Sequence, residues 1–303
     1  MKGRIILEGD VVHIYQLSFD KGIIFYERKD FLVFFTLFSC LAYAHHIVVA
    51  GLCIMLNHFH AGLMKVTIRS LADFMRELKS EFSVEYNRRY GRKGTLWGDS
   101  GWSVKRGNKQ VRTFASYLHN NPVEKFSCAT AEEYQWNFLK YAVESNPFSC
   151  KIPLRKASKR FRRAVDTVDH CVSRHQPLNY RILDALFEGL TTEEERSLTD
   201  YIICRYNCIN HAIFLSYYGS YDAMTASFKA SFGKEYDIDE YRSPASYGEF
   251  KILYKITVSM GYIGKDRTFF NMSEDEKAAL YEKLLILTDV SRFSIQHYIH
   301  HML

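Results

Sequence analysis

The stretch from Phe31 to Leu56 is apolar enough to demand burial, and the way it is buried fixes what the rest of the chain can build around it. On hydropathy alone it is long enough to span a bilayer. His45 and His46 interrupt it midway, however, and β-branched residues crowd only its second half, which suits a buried helix followed by a buried strand. The flanks extend this pattern. Residues 11 to 19 are rich in β-branched and aromatic types and read as a first strand. Asp30 is expected to cap a helix running to about Tyr43. Ile47 to Met55 reads as a second strand, Asn57 as a turn, and His58 to Val66 as a third strand with alternating faces, so the two form a hairpin.

From Ile68 to Tyr90, Leu71, Met75, Leu78, Phe82 and Tyr86 recur every three or four positions, which predicts a long amphipathic helix. After a loop over Gly91 to Gly101, Trp102 to Lys105 reads as a short strand and Lys109 to Asn120 as a helix stopped by Pro122. A strand, a helix, a hairpin, a helix and a returning strand make the split βαβ arrangement of a ferredoxin-like α+β domain: an antiparallel sheet with helices on one face. Residues 1–145 are assigned to this domain.

Residues 151 to 163 hold seven Lys or Arg and no acid. A run of this kind is either a solvated linker or a phosphate-contacting arm, and 146–175 is taken as a basic linker. Residues 176–303 are expected to form an all-α C-terminal domain, with capping-box spacings at Thr191/Glu194 and Ser273/Glu276. A helix over about Glu274 to Leu287, a turn at Thr288 to Val290 and a last helix from Ser291 have the layout of a helix-turn-helix. Arg292, Ser294, Gln296 and His297 near its start could reach base edges, although such hairpins also occur as plain packing units.

With 303 residues the chain has room for two domains. Apolar residues at 47% and charged residues at 24% exclude a disordered chain. The net charge of +6 agrees with a polyanionic partner without requiring one. Seven scattered cysteines point to free thiols in a reducing compartment, hence a cytoplasmic protein, and the charged opening from Met1 to Asp10 is unlike a secretory leader. Cys204, Cys208 and His211 lack an evident fourth zinc ligand and are assigned to core packing.

The chemistry concentrates at two places. In Met55-Leu56-Asn57-His58-Phe59-His60 the two histidines lie two apart on a strand, so they share a face and can offer two imidazoles to a divalent ion. A His-x-His pair is common by chance and needs a second element. On the helix after the fourth strand, Val111, Phe114, Ala115 and Leu118 form the stripe that faces the sheet, with Tyr117 beside it and Asn121 one turn further on the same flank. A nucleophile and a third ligand could meet there.

Several separated motifs in one order resemble a known family. His13 resembles its first-strand histidine, and Met55 to His60 resembles its Met-Pro-Asn-His-x-His signature, with Leu56 in place of the usual Pro. Gly94 to Trp97 resembles its Gly-x-Leu-Trp/Phe loop, Tyr117 to Val123 its Tyr-Ile-x-x-Asn-Pro-Val, and Glu132 to Tyr141 its Trp-containing tail. Leu17 stands where an Arg commonly follows the first-strand histidine. On these motifs residues 10 to 141 resemble the HUH single-tyrosine transposases, in the REP-associated branch.

The resemblance implies a Mg2+ or Mn2+ ion held by His58, His60 and Asn121. It also implies attack of Tyr117 on a DNA phosphate to give a 5′-phosphotyrosine, so that nicking and joining are one reversible reaction. The implied partner is single-stranded or hairpin DNA, contacted by Arg88, Arg89, Trp97, Lys105, Arg155, Lys156, Arg160 and Arg292. The alternative is an inactive or domesticated relative that binds structured DNA without cutting it. Monomer and homodimer are both open.

Overall fold

The computed structural model describes residues 5–125, 127–231, 247–262 and 272–300. Four strands, β1 (Val11–Ser18), β2 (Val48–Ile54), β3 (His58–Met64) and β4 (Trp97–Lys105), form one sheet in the order β2-β3-β1-β4. Every pairing in it is antiparallel. This is the ferredoxin-like topology expected from the order of elements. β4 begins five residues earlier than its β-branched content suggests, because Trp97 already pairs with Ser18 across a shift in register.

Strand alternation divides the sheet residues between two cores. Val12, Ile14, Phe59, Ala61 and Leu63 face helices α1 (Arg28–Ala44) and α2 (Ile68–Arg89), where Phe34 lies 4.8 Å from Phe59, centroid to centroid. The apolar stretch is thus a helix and a strand. Among the described residues no helix is long and apolar enough to cross a membrane.

The opposite face is covered by α3 (Gly107–Glu124), so the helices are not confined to one side as expected. Two glycines admit α3. A Cβ on Gly51 would stand 2.6 Å from side-chain atoms of Leu118 and Phe214, and one on Gly62 would stand 2.8 Å from the Phe114 ring. Pro122 does not stop α3, which runs on to Glu124. Its missing N–H falls in the last turn, where a proline interrupts least of the helix that follows it.

α1 is capped by Glu27, with Asp30 at the third helical position returning the hydrogen bond, so Asp30 is not itself the cap. Fully buried, the Asp30 carboxylate also accepts from the hydroxyls of Tyr90 (2.6 Å) and Tyr180 (2.7 Å) and from the backbone N–H of Tyr26 (2.7 Å). It ties α1, the end of α2 and α5 (Tyr180–Phe187) together.

Half of the expected linker over 146–175 is helix. α4 (Lys159–Ser173) buries Phe161, Ala164, Val165, Val168 and Cys171 beneath its arginines. These join α5 and α6 (Thr192–Tyr206) in the same core as α1, so no separate domain starts at this point. α6 ends at Tyr206, which leaves Cys208 beyond it, with its thiol 3.4 Å from Ser39 Oγ. All seven cysteines are free thiols.

α7 (Ala212–Leu215) and α8 (Tyr221–Ala230) pack on α3. α9 (Tyr247–Ser259), α10 (Glu274–Leu287) and α11 (Arg292–His300) gather around Ile23 and Tyr26. Both capping boxes, at Thr191/Glu194 and Ser273/Glu276, are formed.

Candidate active site

His58 and His60 project from one face of β3 with ring centroids 5.0 Å apart and planes 82° from each other. Each is oriented from behind. Asn57 Nδ2 donates to the Lys21 carbonyl at 2.7 Å, so Asn57 Oδ1 is left to accept from His58 Nδ1, also at 2.7 Å. The proton on Nδ1 leaves a lone pair on His58 Nε2. His13, one strand over on β1, lies with its Nε2 3.1 Å from His60 Nδ1, and in the tautomer where His60 Nδ1 donates to His13, His60 Nε2 keeps its lone pair.

On the far side of His60 stands α3. The Tyr117 hydroxyl is 3.4 Å from His60 Nε2, Asn121 Nδ2 is 3.4 Å from the same nitrogen, and Asn121 Nδ2 donates to the Tyr117 hydroxyl at 3.2 Å. The phenol, the carboxamide and the imidazole therefore converge within one chain. Burial pushes the His60 imidazole down to about 3, helped by the charge of Lys125, and burial, followed by the charges of His60 and Lys105, holds His13 well below the usual histidine range. Near neutral pH both rings are uncharged, the form that ligates metal.

Among the described residues no group of three or more His, Cys, Asp or Glu is placed to hold a metal ion, so two imidazoles need a different third donor. Asn121 fits. Its Oδ1 is buried and has no hydrogen-bond partner among the described residues, and a buried carbonyl without a donor is costly unless something that enters the site pairs with it. Two imidazole nitrogens and one carboxamide oxygen are a donor set that a divalent ion accepts.

The tyrosine helix is tied down along its length. Asn120 Nδ2 donates to the Phe228 carbonyl at 2.7 Å, His119 stacks on the Phe228 ring at 5.2 Å, and the Tyr218 hydroxyl donates to the Arg112 carbonyl at 2.9 Å. Asn137 Nδ2 reaches the His119 carbonyl at 3.3 Å.

The residues expected to touch DNA divide. Arg89 is not available: its side chain, 13% exposed, lies between Glu27 (3.3 Å) and Asp184 (2.9 Å). Trp97 is a half-buried ring packed on the core, within about 6 Å of Phe34, Phe59 and Phe82, with its Nε1 donating to the Lys79 carbonyl. Arg88 is exposed and paired with Glu85 at 2.6 Å, while Lys105 is half-buried at the end of β4.

Arg155, Lys156, Arg160 and Arg292 are exposed, and Arg160 lines a cleft of about 700 Å³ with Arg163 and Arg181. That cleft lies between α4 and α5, on the α1 side of the sheet rather than the tyrosine side. In α11, Ser294 is buried and donates to Glu249 at 2.5 Å, so it faces inward, and the His297 side chain lies outside the described residues.

Asn57 and His13 as orienting residues escaped sequence reasoning. Asn57 reads only as a turn residue, and His13 emerges only through its family position. The one local signal is the match in parity of His13 with His60 across the β1–β3 pairing.

No curated protein matches the chain. Among solved structures the chain is similar to one described as "Structure of the REP associates tyrosine transposase bound to a REP hairpin", at 14% identity and a TM-score of 0.40, over 47% of this chain and 84% of that one. The family model described as "Transposase IS200 like" matches residues 24–121, the span that holds both histidines, the tyrosine and the asparagine. The likeness to IS200-like transposases is carried by that one region of the chain.

Proposed function

We propose that the protein is a metal-dependent single-strand DNA nicking and joining enzyme that works through Tyr117. The observation behind this reading is the meeting of the Tyr117 hydroxyl and the Asn121 carboxamide at one nitrogen of His60, each at 3.4 Å. His58, His60 and Asn121 Oδ1 would hold the ion, Mg2+ or Mn2+. When bound, the ion polarises the scissile phosphate and offsets charge on the leaving oxygen.

Tyr117 supplies the nucleophile. Its oxygen forms a bond to phosphorus as the bond from phosphorus to the 3′ oxygen breaks, and one proton passes, net, from phenol to the departing 3′-hydroxyl. The DNA 5′ end stays on Tyr117, and a different 3′-hydroxyl can reverse the step. His13 and Asn57 position the imidazoles. The substrate is single-stranded or hairpin DNA, whose backbone the exposed Arg155, Lys156, Arg160 and Arg292 suit.

A single-stranded oligonucleotide carrying the cognate site is expected to yield a covalent adduct with the parent chain and Mg2+ or Mn2+. Chelation abolishes the adduct and returned metal restores it, while Tyr117→Phe forms none. An adduct of undiminished yield in Tyr117→Phe sinks the assignment.

A further inference from the structure

Beside the turn between β2 and β3 lies a cavity of about 310 Å³ whose lining includes Tyr26, Phe31, Tyr134, Trp136 and Tyr254. Leu56, two residues before His58, borders it, so the cavity adjoins the strand end that holds the histidine pair. Phe31 and Trp136 lie flat on each other, 4.4 Å apart and 13° from parallel, which covers one indole face while the ring still lines the space. Tyr134 is fixed by its hydroxyl bond to the Ile54 carbonyl at 2.8 Å.

The cavity is not purely apolar. Ser127 lines it, and its Oγ is buried without a hydrogen-bond partner among the described residues, which favours a ligand with a polar edge. Lys255 borders it, is exposed, and has no carboxylate partner among the described residues. Glu27, also at the border, is paired with Arg89 at 3.3 Å, which offsets its charge toward an incoming anion. Flat aromatic walls, one unpaired hydroxyl and an adjacent cation together match a planar heterocycle attached to a phosphate.

We propose that this cavity receives one unpaired nucleobase of the DNA strand held at His58, His60 and Tyr117, so that the chain reads one position next to the cut. The inference rests on the proposed nicking reading. Stacking on aromatic rings supplies affinity for any base, and Ser127 supplies the discrimination among bases.

The test uses the full chain as Tyr117→Phe, which holds DNA uncut, and an oligonucleotide carrying the cognate site in which each base in turn is replaced by an abasic unit. At one position the abasic unit is expected to weaken binding about 10-fold, within the range that stacking of a single base contributes. Adding Tyr254→Ala erases that difference, Tyr254→Phe keeps it, and Ser127→Ala narrows the spread among the four natural bases at that position.

Equal losses for Tyr254→Ala at every position, or none anywhere, overturn the pocket. So does a position effect found only with the RNA version of the strand. The adduct assay on the parent chain separates the two ideas: an adduct without a Tyr254-dependent position defeats the pocket alone, and a parent that binds no DNA defeats both.

Discussion

His60 has its two ring nitrogens in different employment, one against His13 and the other toward Tyr117 and Asn121, and this division requires the ring to stay neutral. Burial enforces it. His60 and His119 sit at about 3 and His211 at about 4, all below an unfolded value near ~6.5. The stability these residues give is complete above ~6.5 and is lost as pH falls toward the folded values, because the unfolded chain then takes up protons that the native chain refuses. Each such histidine contributes a slope of up to about 1.4 kcal/mol per pH unit. Urea midpoints are expected to fall between pH 7 and pH 5. His211 Nε2 lies 3.3 Å from Asn207 Nδ2, so His211→Gln, which keeps a polar partner there, should flatten that fall, and an unchanged slope would falsify it. At this scale the spacing of His58 and His60 was legible, since a two-residue period is all it requires. The orienting roles of Asn57 and His13 were not, because they depend on hydrogen bonds between segments far apart in sequence.

Elements were legible wherever one side of the periodicity was clean. The apolar series of α2 and the capping boxes of α6 and α10 lie where sequence places them. Sequence faltered where charge hides packing, as in α4, whose arginines mask the period of Phe161, Val165 and Val168. Which side of the sheet α3 takes was also illegible, because both faces of β1 and β3 are buried and composition does not rank them. The glycines reveal it. Gly62→Ala places a methyl 2.8 Å from the Phe114 ring and should lift α3 from the sheet, costing about 1–3 kcal/mol, the usual penalty of overpacking. Denaturant unfolding gives the first number and single-turnover adduct formation the second. We expect the adduct rate to drop by more than the loss of folded protein explains, and a variant with parental rate and stability would show that close approach is unnecessary.

On the scale of the whole molecule, the sheet separates two side-chain clusters: imidazoles and phenol on one side, the arginine-lined cleft of α4 and α5 on the other. Tyr117 meets His60 within a single chain, so under the proposed reading the phenol acts on the imidazoles of its own copy. Mixing Tyr117→Phe chains with His60→Ala chains is therefore expected to give no adduct. Recovery of adduct in the mixture would mean that the phenol of one copy serves the imidazoles of another.

The contacts from Phe228 and Tyr218 to the tyrosine helix bear on how joining would proceed. A nucleophile mounted on a beam bolted at several points is an anvil rather than a lever: once a DNA end is attached, the protein has no arm with which to carry it elsewhere. Under the proposed chemistry, the travelling must be done by the nucleic acid, with the incoming strand brought to a stationary phosphotyrosine.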